Sequence, residues 1–140
     1  MVLTSVAMPI KADENETNSN IIYLDNGYYI TVELNVTDSR ATSTKSGNKV
    51  YVFRNSNGGE ERRATLYGTF TYTGASSLCT SASCTVSITN TAWYTISNTY
   101  SKSGNFATAD VVIGRRFLGI KIDEETISIR LTCDANGNLS

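Results

Sequence analysis

The stretch from Arg63 to Cys79 constrains this chain more than any other. Ala64, Leu66, Gly68, Phe70 and Tyr72 fall on one parity, and Thr65, Tyr67, Thr69, Thr71 and Thr73 on the other. Successive side chains of an extended strand point to opposite faces. A period of two, rich in Thr and aromatics, therefore predicts a half-buried β-strand, here running to Cys79. Upstream lies Asn55-Ser56-Asn57-Gly58-Gly59. Asn-Gly accepts the positive φ values of a tight hairpin, so this segment is expected to join the long strand to Lys49–Arg54. In Lys49–Arg54, Val50 and Val52 oppose Tyr51 and Phe53. Two apolar faces predict burial on both sides, or an interface.

The same alternation recurs elsewhere. Tyr28 to Val36 reads as a strand, with Thr37 to Asn48 as a loop or a crossing between sheets. Cys84, Val86 and Ile88 alternate with Thr85, Ser87 and Thr89. Ala92 to Ser101 places Trp93 on one face and Tyr94, Ile96 and Tyr100 on the other, and Ser103-Gly104-Asn105 is a second hairpin signal. In the last strand, Ile120 and Ile122 keep one phase while Ile127, Ile129, Leu131 and Cys133 keep the other. A bulge is implied near Asp123-Glu124-Glu125, unless that triplet is itself a turn. Seven or eight short strands and no helical periodicity predict an all-β fold. The expected form is an antiparallel two-sheet β-sandwich of immunoglobulin-like type, with a β-barrel as the alternative.

The 140 residues suit one domain. Residues 1–12 read as the remnant of a signal peptide, with Ile10-Lys11-Ala12 as its small-residue cleavage site; the alternative is an ordinary first strand. Residues 13–27 read as a flexible lead-in, 28–133 as the sandwich and 134–140 as a C-terminal tail. The composition is 18% charged and rich in Thr, Ser and Asn, with eight Tyr. That suits a small secreted, extracellular β-protein rather than a disordered chain. No run is long enough to span a membrane.

Histidine is absent. Ser-His-Asp and Cys-His nucleophiles and His-ligated metals are thereby excluded within this chain. No Walker loop, GxGxxG or CxxC is present, and no cofactor is expected. The net charge of -1, with basic pairs only at Arg62-Arg63 and Arg115-Arg116, argues against nucleic acid. Both pairs are expected to be solvated strand positions or strand ends.

Three cysteines leave one thiol over. A Cys79–Cys84 bridge closes a small loop, worth about 2 kcal/mol, against about 4 kcal/mol for Cys79–Cys133. The phase of Cys84 with Val86 and Ile88 suggests a buried small hydrophobe. Cys79–Cys133 is the expected bridge, with Cys84–Cys133 as the alternative.

The runs GTFTYTGASSLCTSASC, SITNTAWYTISNTYSKSGNFATADV and LTCDANGNLS resemble a family of small exported proteins of Gram-positive, clostridial-type gut bacteria. That family is known only as a domain of unknown function. The resemblance covers Tyr28 to Ser140. It implies pairing of Cys79 with Cys133, and a signal peptide ahead of the domain. The acidic Asp123-Glu124-Glu125 departs from its pattern. No activity comes with it.

The expected function is a non-enzymatic extracellular or cell-surface interaction or structural module, meeting a protein or a cell-surface glycan. Arg115, Arg116, Phe117 and Leu118 form its candidate contact, an apolar tip beside basic residues. The ordinary expectation is that Phe117 and Leu118 fold back into the core. Trp93 with Tyr94 is a candidate sugar-stacking platform, although a lone Trp in a sandwich is more often a core plug. A secreted bacteriocin-like antagonist is the alternative. Less favoured is a glycosidase drawing two carboxylates from Asp110, Asp123, Glu124 and Glu125. Calcium ligation by Asp123 to Glu125 lacks the required spacing.

Overall fold

The computed structural model describes residues 4–11, 16–24, 27–38 and 43–140. These form nine strands: β1 (Thr4–Lys11), β2 (Glu16–Tyr23), β3 (Tyr29–Asp38), β4 (Thr44–Arg54), β5 (Glu60–Tyr72), β6 (Ser77–Ile88), β7 (Trp93–Ser103), β8 (Phe106–Phe117) and β9 (Ile120–Thr132). Two antiparallel sheets result, in the orders β1-β2-β3-β4-β5-β6 and β7-β8-β9. They form a β-sandwich and do not close into a barrel. An immunoglobulin sandwich is threaded by Greek-key connections. Here each strand bonds only to its sequence neighbours, so two successive meanders stand in place of that order.

The alternation in β5 does what the sequence predicts: Ala64, Leu66 and Phe70 are wholly buried between the sheets. The strand does not reach Cys79, however. It ends at Tyr72, where Thr73 Oγ1 accepts the N–H groups of Ala75 and Ser76, and Gly74 takes a φ of 86°. Cys79 lies on β6, opposite Phe70. The inward parity changes from even at Phe70 to odd at Cys79, and the four-residue turn makes that change. The Asn55–Gly59 turn forms as expected: Asn55 Oδ1 accepts from the Asn57 and Gly59 amides, and Gly58 has a φ of 87°. The two-sided burial expected of β4 also holds. Phe53 joins the inter-sheet core, while Val50 and Val52 are buried on the other face, opposite Thr65 and Arg63.

Strand pairing extends beyond residues 28–133 at both ends. Much of the anticipated signal remnant and lead-in is strand: β1 pairs with β2, and β2 with β3. The Ala12–Asp13 junction and Asn26 lie outside the described residues, as does 39–42 of the expected loop. β2 is polar over Glu16–Asn20 and carries no apolar period, so the unpaired edge of β3 recruits it through backbone bonding. Pro9 is tolerated because β1 is the sheet's edge strand. The tail after Cys133 folds back: Thr132 and Ser140 exchange both backbone hydrogen bonds, and Asp134 Oδ1 accepts from the Asn136 and Asn138 amides. Leu139 packs against the core beside Gly47, where an added Cβ would stand 2.5 Å from its Cδ1.

The expected staple is absent. Cys79, Cys84 and Cys133 are all buried and none is bonded to another. Cys84 is the buried small hydrophobe its phase suggests. The thiols of Cys79 and Cys133 each donate to a nearby carbonyl, of Ser81 and Asp134 respectively. Burial pushes all three thiols above their ordinary pKa.

Candidate functional site: an exposed apolar hairpin

Beyond the Trp93–Arg115 pair, β8 and β9 continue past the start of β7. The Arg116 amide makes one last bond back, to the Ala92 carbonyl at 2.9 Å. Two further rungs follow, Arg116 opposite Lys121 and Phe117 opposite Ile120, and Leu118-Gly119 turns the chain. Both turn residues have positive φ, 52° at Leu118 and 77° at Gly119. That is the type I′ geometry whose twist matches a hairpin, and it favours Asn at the first position. A branched apolar residue there is strained by about 1–2 kcal/mol.

This geometry decides a matter the sequence leaves open. Phe117 and Leu118 do not fold back into the core. A two-residue turn extends the ladder straight outward, so the tip stands free. Leu118 is 85% exposed, Phe117 64%, Ile120 67% and Ile122 52%. Ile122 is the unpaired residue of the bulge implied beside Asp123. Leu118 is thus both strained and open to water, with no compensating contact. Leu118→Asn is expected to stabilise the fold by about 1 kcal/mol, seen as a higher Tm in thermal unfolding. A lower Tm would contradict the turn geometry.

The basic residues stand directly behind the tip. The Arg116 guanidinium lies 5.0 Å from the Tyr94 ring centroid and that of Arg115 lies 5.6 Å from that of Trp93. Lys121 pairs with Glu124 at 3.1 Å, and this hydrogen bond raises its pKa. The rung next to the tip, Arg116 with Lys121, is entirely cationic. The first acid, Asp123, comes one rung further back, opposite Arg115. The four residues expected as a contact, Arg115, Arg116, Phe117 and Leu118, are therefore brought together and exposed. Lys121, Ile120 and Ile122 complete the surface. Recognising Leu118-Gly119 as a two-residue turn would have found the first two, since it pairs Phe117 with Ile120 and Arg116 with Lys121.

Trp93 and Tyr94 do not form a platform. As neighbours on a strand they point to opposite faces. Trp93 is buried, with the Arg62 guanidinium 3.7 Å from its ring centroid. The Tyr94 ring lies across Gly114, where a Cβ would meet it at 2.7 Å. Ile96 is a bulge residue, so the face shared by Tyr94 and Tyr100 in the sequence is broken: Tyr94 pairs with Gly114 and Tyr100 with Ala109.

Arg62 was expected to be solvated and is instead 3% exposed. It ion-pairs with Glu125 and lies over the Phe53 ring as well as that of Trp93. Of the four candidate carboxylates, Asp110 stands apart from the consecutive Asp123, Glu124 and Glu125. Asp110 accepts a hydrogen bond from the Ser128 hydroxyl, Glu124 holds Lys121, and Glu125 holds Arg62. Asp123 stands opposite Arg115, and β8 advances about 17 Å between Asp110 and Arg115, beyond the separation of a glycosidase pair. A cleft of about 160 Å³ lies between the first sheet and β9, lined by Ile22, Tyr51, Phe53 and Glu125 among others. Glu125 is the sole candidate acid in its lining. No cluster of potential metal ligands occurs among the described residues. No described helix is long and apolar enough to cross a membrane.

No family model matches the chain, and neither the curated proteins nor the solved structures contain a match.

Proposed function

We propose that this chain is an exported, non-enzymatic interaction module whose contact surface is the tip of the β8–β9 hairpin. One observation carries the reading: four apolar side chains stand exposed on one protruding hairpin, led by Leu118 at 85%. Scattered single apolar residues on a surface need no explanation, whereas a contiguous apolar tip rimmed by charge marks a contact site. The hydroxyl-rich composition supports export. The unbonded cysteines contribute nothing to it.

The test compares the full chain with a Phe117→Ser/Leu118→Ser variant for retention on extracellular cell-surface fractions. The tip holds the most exposed apolar groups, so the variant is expected to lose about tenfold or more in retention while its thermal unfolding stays cooperative. Equal retention of both proteins would remove the hairpin as the contact.

A further inference from the structure

We infer that the hairpin tip docks on an anionic phospholipid surface, inserting its apolar end among the acyl chains and placing its cations at the headgroups. This rests on the tip being the contact surface, and it names the partner.

Three features of the hairpin select this occupant. The first is layering. From the turn backwards come Leu118-Gly119, the apolar rung Phe117–Ile120 and the cationic rung Arg116–Lys121. Rungs are spaced by about 3.4 Å, so the cations sit about 7 Å behind the turn. An interfacial element buries its apolar side about 5–10 Å into the headgroup and acyl boundary, and long basic side chains snorkel to phosphate level. Asp123 follows the cations in the ladder and Glu124 holds Lys121 at 3.1 Å, which leaves Arg116 as the cation of this rung without an acidic partner among the described residues.

The second is size. A stable protein interface buries about 1,200–2,000 Å² in total. One hairpin end offers a handful of side chains, too little for that and enough for a shallow membrane anchor. The third is backbone pairing. Phe117 and Ile120 are ladder partners across a two-residue turn. The tip therefore enters an apolar medium with its rung already hydrogen-bonded, the condition lipid imposes on any backbone. The strained, exposed Leu118 fits the same role, since Asn or Gly would make the turn without placing an apolar side chain at its apex.

The experiment is vesicle co-sedimentation of the full chain. Phosphatidylcholine vesicles are compared with phosphatidylcholine–phosphatidylglycerol vesicles, at low and high salt. Binding is expected to the anionic vesicles and to weaken with salt. Leu118→Asn is expected to fold at least as well as the parent and to bind about tenfold more weakly. Arg116→Glu/Lys121→Glu is expected to abolish the preference for anionic lipid. No sedimentation with anionic vesicles, or equal sedimentation with both kinds, overturns the proposal. If the Phe117→Ser/Leu118→Ser variant also loses retention on surface fractions while vesicles bind neither protein, the contact surface stands and its partner is a protein or a glycan rather than lipid. If retention is unchanged, the contact surface itself falls.

Discussion

Truncating Arg62 to alanine is expected to lower the stability of the fold by about 3–5 kcal/mol. The guanidinium is buried between the Phe53 and Trp93 rings, at 4.1 and 3.7 Å from their centroids, and pairs with Glu125 across the two sheets. Burial brings its pKa down to about 10, so at neutral pH it is still the cation that the carboxylate and rings face. Removing it leaves Glu125, whose side chain is 18% exposed, with an uncompensated charge near the core. It also strips both rings of a stacking partner. The double replacement Arg62→Met/Glu125→Leu is expected to recover most of the loss, because it removes both charges and restores apolar volume. The unpartnered Arg62 Nε among the described residues points the same way, since the ion pair is not fully satisfied. Urea unfolding followed by Trp93 fluorescence measures both variants. A loss below about 1 kcal/mol for Arg62→Ala would show that the pair does not hold the sheets together.

The second large effect belongs to Phe70. Its ring is wholly buried and fills the space left by the missing side chain of Gly68, where a Cβ would meet Phe70 Cε2 at 2.9 Å and Leu131 Cδ2 at 3.1 Å. Phe70→Ala is expected to cost about 3–5 kcal/mol through lost burial and a cavity between β5 and the second sheet. Gly68→Ala is expected to cost about 1–3 kcal/mol by overpacking. Combined as Gly68→Ala/Phe70→Leu, the two changes share one space, so the double variant is expected to be more stable than the sum of its singles by at least about 0.5 kcal/mol. Additivity in chemical denaturation would mean that the ring does not occupy the glycine's gap.

Much of this fold is legible in period two. Ala64, Leu66 and Phe70, Cys84, and Ile127, Ile129 and Leu131 all face the core as their parity requires. The Asn57-Gly58 hairpin and the bulge beside Asp123 follow from local turn and phase rules. The misses have local causes. The Thr73–Ser76 turn shows only as a change of inward parity between Phe70 and Cys79, which one strand running to Cys79 overlooks. β2 forms on a partner's edge rather than on its own pattern. The bulge at Ile96 reverses the face of every later residue in β7. The exposure of Phe117 and Leu118 is not readable from the sequence, because the two look alike whether they bury or protrude. Arg62 was unreadable for the converse reason: a charged residue in a strand gives no local sign that two rings and a carboxylate wait for it.

By itself the sequence determined the all-β class, the inner faces of the principal strands and the absence of histidine chemistry, and left sandwich and barrel to the structure. These depend on backbone geometry and composition, which act within a few residues. Only the tertiary structure decided that three cysteines stay unbonded, that Arg62 bridges the sheets, and that the Leu118-Gly119 turn carries its apolar apex into solvent. Each of those depends on what lies across a sheet or beyond the end of a neighbouring strand, and no spacing along the chain encodes that distance.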